Sequence, residues 1–359
     1  MAFNTDLSAM KVDGSRHSKK LRPIEDAASD LSEDGLVDEG RPGSLLIDRA
    51  AGTIIGGAIG DALGAGYEFA EAPESDRVTM LPGRLTGEPA GHWTDDTAMA
   101  IGILEVAARM GTLTTSAASN AVGARFLEWF ASGPRDVGNH TRAVLSVATS
   151  GAHVAKAAVE VQALHPDSAG NGSLMRTGPV ALVHRGDDEQ LVRAATAMSE
   201  LTHAHPDAVA ACVLWTVAID RAISTGTLDG PRVGLPLIDA SRRSFWEQRI
   251  IEAETKDPRE FTPNRHVVVA LQAAWSAIYA TRHTDDHFVA GLRRAVSIGD
   301  DTDTVAAIAG YLLGACYGLS AAPLEWSSSL GGWPGTYGFD DLVQLAASAA
   351  ERGVVDADE

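Results

Sequence analysis

Two short stretches crowd carboxylates and hydroxyls together with no Lys or Arg among them. "GHWTDDTAMAI" sets Thr94, Asp95, Asp96 and Thr97 before an apolar run, and "SIGDDTDTVAAIAG" sets Asp300, Asp301, Thr302, Asp303 and Thr304 before another. Asp and Thr are preferred helix N-caps, and a helix N-terminus attracts anions, so each stretch reads in part as an ordinary helix start. One carboxylate satisfies a cap, however, and the second stretch offers three. Unpaired carboxylates beside a buried helix either take up protons or destabilise the fold unless a cation compensates. An all-oxygen cluster without His or Cys selects hard divalent ions such as Mg²⁺ or Mn²⁺, and two clusters could hold a pair of them. Spacing alone leaves doubly capped helices and a metal centre both open.

Other stretches carry weaker signals. "GDALGAGYEF" ends a glycine-striped segment with Asp61 and Glu68. "GNGSLMRTGP", from Gly170, reads either as a plain Gly-Asn turn or as a loop whose amides approach an anion, with Arg176 available for phosphate. His203 and His205 stand just before the helix start at Pro206, where capping and packing suit them as well as ligand contact does. Asp136 and Asn139 sit in a Gly-Pro loop suited to local Asx turns, and Trp275 and Tyr279 suit a core.

The elements that must position these residues are helices. Gly52, Gly56, Gly60 and Gly64 recur every four residues, as do Gly310, Gly314 and Gly318. Each interior glycine costs about 1 kcal/mol relative to alanine, an outlay that close approach of two buried helix backbones would offset. Further helices are expected over 95–110, 115–132, 140–163, 188–199, 205–224, 266–281, 286–296 and 339–351, with no alternating β run between them. The proline-containing stretch from Thr225 to Pro263 reads as a surface excursion. Residues 1–44 read as a disordered acidic tail, 45–352 as one domain and 353–359 as a C-terminal tail.

The chain has 359 residues, 45% of them hydrophobic, enough for a large core. A net charge of −19 argues against binding nucleic acid or an anionic membrane nonspecifically. Cys212 and Cys316 look like core residues, and a secretory signal is not expected in the first twenty residues, so the cytoplasm is the default compartment. The apolar run Val305–Leu324 starts directly from carboxylates and is rejected as a membrane span.

In order, "GAIGDALGAGYEF", "GHWTDDTAMAI", "SGPRDVGNHT", "GNGSLMRTGP", "THAHP" and "GDDTDTVAAIAG" resemble the ADP-ribosylglycohydrolase family, the match running from Asp48 to Asp341. The resemblance implies an all-α, compact orthogonal helix bundle with a dinuclear Mg²⁺ or Mn²⁺ centre that hydrolyses the bond between ADP-ribose and a protein side chain. It maps the metal ligands onto Thr94, Asp95, Asp96, Asp301, Asp303 and Thr304, leaving out Asp300, where many relatives have glycine. It places Glu68 near the metals as a base or gate, with Asp95, Asp96 and Asp303 as its catalytic companions. Asp136 and Asn139 would meet the ribose. The loop of Gly170, Asn171, Gly172, Ser173, Met175 and Arg176 would take the diphosphate, and His203 and Trp275 would flank the nucleotide. The expected substrate is an ADP-ribosylated protein, arginine-linked by preference, acted on by a monomer. A two-metal nucleotide phosphoesterase, and an immunity protein whose acidic tail occludes an ADP-ribosyltransferase toxin, are the alternatives.

Overall fold

The computed structural model describes residues 42–355, and the acidic segment up to residue 41, with any role in binding a toxin, lies outside them. Helix α1 (Pro42–Gly64) opens the chain, starting three residues ahead of the expected boundary at Leu45. There follow α2 (Asp95–Met110), α3 (Ser116–Ala131), α4 (Asn139–Val147), α5 (Val154–Leu164), α6 (Asp188–Glu200) and α7 (Pro206–Thr225). The second half holds α8 (Ala240–Thr255), α9 (Val267–Thr281), α10 (His287–Val296), α11 (Thr302–Tyr317), the single turn α12 (Leu324–Ser327) and α13 (Phe339–Val355). The final helix runs four residues past the 351 expected for it. The fold is all-α, its strands among the described residues being a two-residue parallel pair that ties His92–Trp93 to Gly331–Gly332.

Helices α1 and α11 form the centre. The glycine stripes face each other: a methyl added at Gly56 would run into Gly310, one at Gly60 into Ala306, and one at Gly64 into the backbone of Asp303. Backbones this close leave no room for side chains, which is why the small residues recur every fourth position. The register that results sets the end of α1, with Asp61, beside the start of α11, with Asp303. Trp215 of α7 locks onto the same helix by donating its indole N–H to the Ile308 carbonyl, 2.9 Å.

Two expectations about elements are corrected. The single helix expected over 140–163 breaks at Ala148, and α5 restarts at Val154 through a short 3₁₀ turn, Gly151–His153. Gly151 packs against the backbone of Asn120 and Ala124 in α3, a contact that a continuous helix with a side chain there would forbid. The stretch from Thr225 to Pro263 is not a mere excursion: α8 buries Trp246, Ile250 and Ala253 against the core.

Helix α7 is long and apolar enough to cross a membrane, yet 78% of its apolar window is buried inside the protein, as in a core helix. Cys212 and Cys316 are both free and buried.

Candidate metal centre and substrate cavity

The two carboxylate stretches meet. Asp61 from α1, Asp96 from α2 and Asp303 from α11 offer oxygens all within 4.8 Å of one another, and so do Glu68, Asp301 and Asp303. Asp303 belongs to both groups. Each of these residues is buried, and no Lys or Arg pairs with any of them among the described residues. Asp95, beside them at the start of α2, accepts the Gly138 N–H at 3.3 Å.

Hydrogen bonding satisfies only part of this cluster. Asp61 is well served, accepting from the amides of Thr94 and Thr97 at 2.9 Å each and from the Thr97 hydroxyl at 2.7 Å. The Thr94 hydroxyl lies 2.9 Å from Asp61, 3.0 Å from Asp96 and 3.3 Å from Asp303. One hydroxyl carries one proton, so it can serve one of these three acceptors. The other oxygen of Asp96 is buried with no partner. Buried lone pairs facing one another without donors are what a hard cation fills, and an oxygen-only donor set suits Mg²⁺ or Mn²⁺.

The electrostatics agree. Burial raises Asp61 to about 6 in spite of its hydrogen bonds. Burial and then the neighbouring Asp136 raise Asp95 to about 7 and Glu68 to about 9. Burial first and nearby carboxylates second lift Asp96 and Asp303 well above the ordinary range. Groups whose folded-state pKa exceeds the unfolded value, near 4, stabilise the fold while protonated and lose that contribution as pH rises through the folded value. In chelator, the unfolding temperature should therefore fall as pH rises from about 5 to about 8, and saturating Mg²⁺ should remove most of that slope. Thermal scans across that range, with and without the ion, check this; a slope that Mg²⁺ leaves unchanged would separate the cluster from metal.

A cavity of about 420 Å³ opens over the cluster. Its wall includes Glu68, Asp95, Asp96, Asp301, Asp303 and Thr304. The expected Asp136, Asn139, Gly170, Asn171, Gly172, Met175 and His203 also line it. Thr94 borders an adjoining hollow with Asp95 and Asp136. The Asn171 amide donates to Asp301 at 2.8 Å, joining the glycine loop to the acidic cluster.

Three expected site residues stand elsewhere. Arg176 is fully buried, because the short 3₁₀ turn Leu174–Arg176 sends its side chain inward, over the Phe126 ring at 4.4 Å. Ser173 is buried behind the loop with Ser199, 3.0 Å away. Trp275 packs on Gly230 in the core and donates to Glu254 at 3.1 Å, so it does not border the cavity.

Conversely, the sequence reading overlooked several residues. Asp61 reads as a helix-closing residue in the sequence, though its place at the end of the glycine stripe is a signal that it stays buried. Arg265, Phe69, Leu85 and His140 line the cavity. Asn264 is buried and holds the loop before α11: its amide oxygen accepts from the Asp301 N–H at 3.0 Å, and its amide nitrogen donates to the Gly299 carbonyl at 3.0 Å. Asp300 adopts φ +63°, a left-handed conformation that glycine takes freely and Asp tolerates. Its carboxylate turns away to accept from the Asn264 N–H at 2.9 Å.

Comparison with known proteins agrees with this architecture. The profile of the family described as ADP-ribosylglycohydrolase matches residues 42–358. The chain is 30% identical over 294 residues to the ADP-ribosyl-[dinitrogen reductase] glycohydrolase of Rhodospirillum rubrum, covering 80% of this chain and 92% of that one. It is 29% identical over 288 residues to the ADP-ribosylarginine hydrolase Tri1 of Pseudomonas putida (strain GB-1), covering 78% and 73%. A solved structure titled "ADP-ribosylglycohydrolase-related protein complex" superposes with a TM-score of 0.66 at 26% identity, over 86% of this chain and 99% of the other. With an all-α core that carries buried carboxylates to one cavity, and a profile match over all the described residues, the chain belongs to the ADP-ribosylglycohydrolase family.

Proposed function

We propose that the protein removes ADP-ribose from arginine side chains of modified proteins by hydrolysing the bond between the distal ribose and the guanidine nitrogen. The observation that carries this reading is the convergence of Asp61, Asp96 and Asp303 with Glu68 and Asp301 at the floor of one cavity. Family membership and relatives named for ADP-ribosylarginine and for ADP-ribosyl-[dinitrogen reductase] support it.

Thr94, Asp95, Asp96, Asp301, Asp303 and Thr304, with Asp61, would hold two Mg²⁺ or Mn²⁺ ions, which when bound supply charge that orients the ribose hydroxyls and acidifies a water. Asp136 and Asn139, which line the cavity, would meet the ribose, and the Gly170–Gly172 loop and Met175 would flank the diphosphate. The buried carboxylates create a negative field that stabilises positive charge growing at the anomeric carbon. Glu68 is the assigned base. It lines the cavity and groups with Asp301 and Asp303, which sets it beside the water that the ions would acidify. The water oxygen bonds to the anomeric carbon as the C–N bond breaks and its electron pair stays on the guanidine nitrogen; Glu68 takes the water's proton and returns it to that nitrogen, ending as it began.

Incubation with arginine- and serine-ADP-ribosylated proteins, with Mg²⁺, with Mn²⁺ and with chelator, tests this. Free ADP-ribose with an intact pyrophosphate, released from the arginine-linked substrate and suppressed by chelator, is the expected result. AMP as product would favour a phosphoesterase, and undiminished release in chelator would overturn the metal assignment.

A further inference from the structure

Arg176 is a buried cation without an anion. Its guanidinium is fully buried and forms no ion pair among the described residues. It donates to the Thr202 hydroxyl at 2.7 Å and to the Met198 carbonyl at 3.4 Å, points an N–H at the Met99 sulfur at 3.4 Å, and leaves its Nε–H unpartnered. Such a desolvated charge is expensive and calls for a reason.

The hydrogen bonds beyond it supply one. A guanidinium can only donate, so the Thr202 hydroxyl accepts from it. The hydroxyl's own hydrogen then needs an acceptor, and the one within reach among the described residues is Nδ1 of His203, 2.7 Å away. Nδ1 is therefore unprotonated and the ring hydrogen sits on Nε2. That nitrogen faces the glycine loop: a methyl added at Gly172 would lie 3.1 Å from it, and one at Gly170 3.4 Å. His203 lines the cavity, and its Nε2 has no hydrogen-bond partner among the described residues.

Thr202 also orients the neighbouring imidazole. Its carbonyl, which can only accept, lies 3.0 Å from His140 Nε2, so that nitrogen carries hydrogen too, while Nδ1 is 3.3 Å from the Ser168 hydroxyl. The two rings stand 4.7 Å apart. Burial, then Arg176 and His140, hold His203 well below the usual histidine range, so it stays neutral.

We infer that Arg176 and Thr202 are positioning residues that fix His203 as a neutral imidazole with its hydrogen on Nε2, a donor aimed into the cavity at an oxygen of ADP-ribose. The choice of ligand rests on the function proposed above; the tautomer does not. Arg176 thus acts on the nucleotide through two other side chains instead of touching the diphosphate.

The test begins with the intact protein in Mg²⁺, labelled with ¹⁵N-histidine, with His203 assigned from the spectrum of His203→Gln. At about pH 7, Nδ1 of His203 should show the shift of an unprotonated ring nitrogen and Nε2 that of a protonated one. In Thr202→Val the two tautomers should mix, and affinity for free ADP-ribose should fall about tenfold, the loss of one oriented hydrogen bond. Thr202→Ser should keep both properties within about twofold, since it retains the hydroxyl. A protonated Nδ1 in the unsubstituted protein, or a tautomer unmoved in Thr202→Val, would overturn the relay, and the first of these needs no variant to fold. If the tautomer is as inferred but ADP-ribose leaves Nε2 unshifted, the choice of ligand fails and the relay stands.

Discussion

Asp303→Asn should lose turnover by about 10³-fold or more, roughly 4 kcal/mol of barrier, while the chelated protein becomes more stable than its parent. The opposite signs follow from the place of Asp303. It contributes to both carboxylate groups, so removing its charge weakens at once both groups that would hold metal. The amide keeps the shape of the carboxylate, so the approach of α1 to α11 at Gly64 is undisturbed. Without cations, however, the same charge is a liability: burial and then Glu68, Asp96, Asp301 and Asp61 all disfavour its ionised form. A neutral amide relieves that repulsion and can donate to Asp96, for a gain of about 1–3 kcal/mol in chelator. The parent should gain about 2.7 kcal/mol from ions at a hundredfold excess over Kd, and the variant little of it. Thermal unfolding with and without Mn²⁺, beside a turnover assay, reads both effects. Retained activity, or a variant less stable than its parent in chelator, would remove Asp303 from the centre.

Much of this architecture is legible locally. Glycines every fourth residue announce a close helix pair, and the pair exists between α1 and α11. The T-D-D and D-x-D-T stretches announce carboxylates at helix starts, and both starts converge on one cavity. What the sequence hides is direction and distance. Asp61 looks like the end of a helix until α2 and α11 are packed against it, because what makes it part of the cluster is two elements that lie 33 and 242 residues on at Thr94 and Asp303. Arg176 stands four residues after Gly172 of the glycine turn, a position that suits phosphate, yet a 3₁₀ turn points it inward, and nothing in "GNGSLMR" records that rotation. In α8 the apolar residues Trp246, Ile250 and Ala253 do keep helical spacing, but flanking prolines and a charged surface outweigh so thin a stripe. Trp275 shows the converse case, in which the plain core reading of a lone aromatic is the one the packing supports.

Gly60→Ala tests whether the site depends on that helix pair. In an isolated helix the change would stabilise by about 1 kcal/mol, since alanine loses less backbone freedom. Here the added methyl would drive into the carbonyl of Ala306, and backbone cannot rotate aside as a side chain can. The helices must separate, at a cost of about 3 kcal/mol, the upper part of the range for overpacked cores, so the net effect is a loss of about 2 kcal/mol. Because Asp61 follows Gly60 directly and Asp303 lies one turn before Ala306 and Ala307, the same separation spreads the carboxylates. The stabilisation that Mn²⁺ confers should therefore shrink along with the baseline, which a cavity far from the site would not produce. Gly43→Ala is the matched control, on the same helix with nothing within 4 Å of the added methyl, and it should be neutral or slightly stabilising. Denaturant unfolding of the three proteins, each with and without Mn²⁺, decides the matter. Equal metal responses in Gly60→Ala and Gly43→Ala would mean that the α1–α11 contact holds the fold together without setting the geometry of the site.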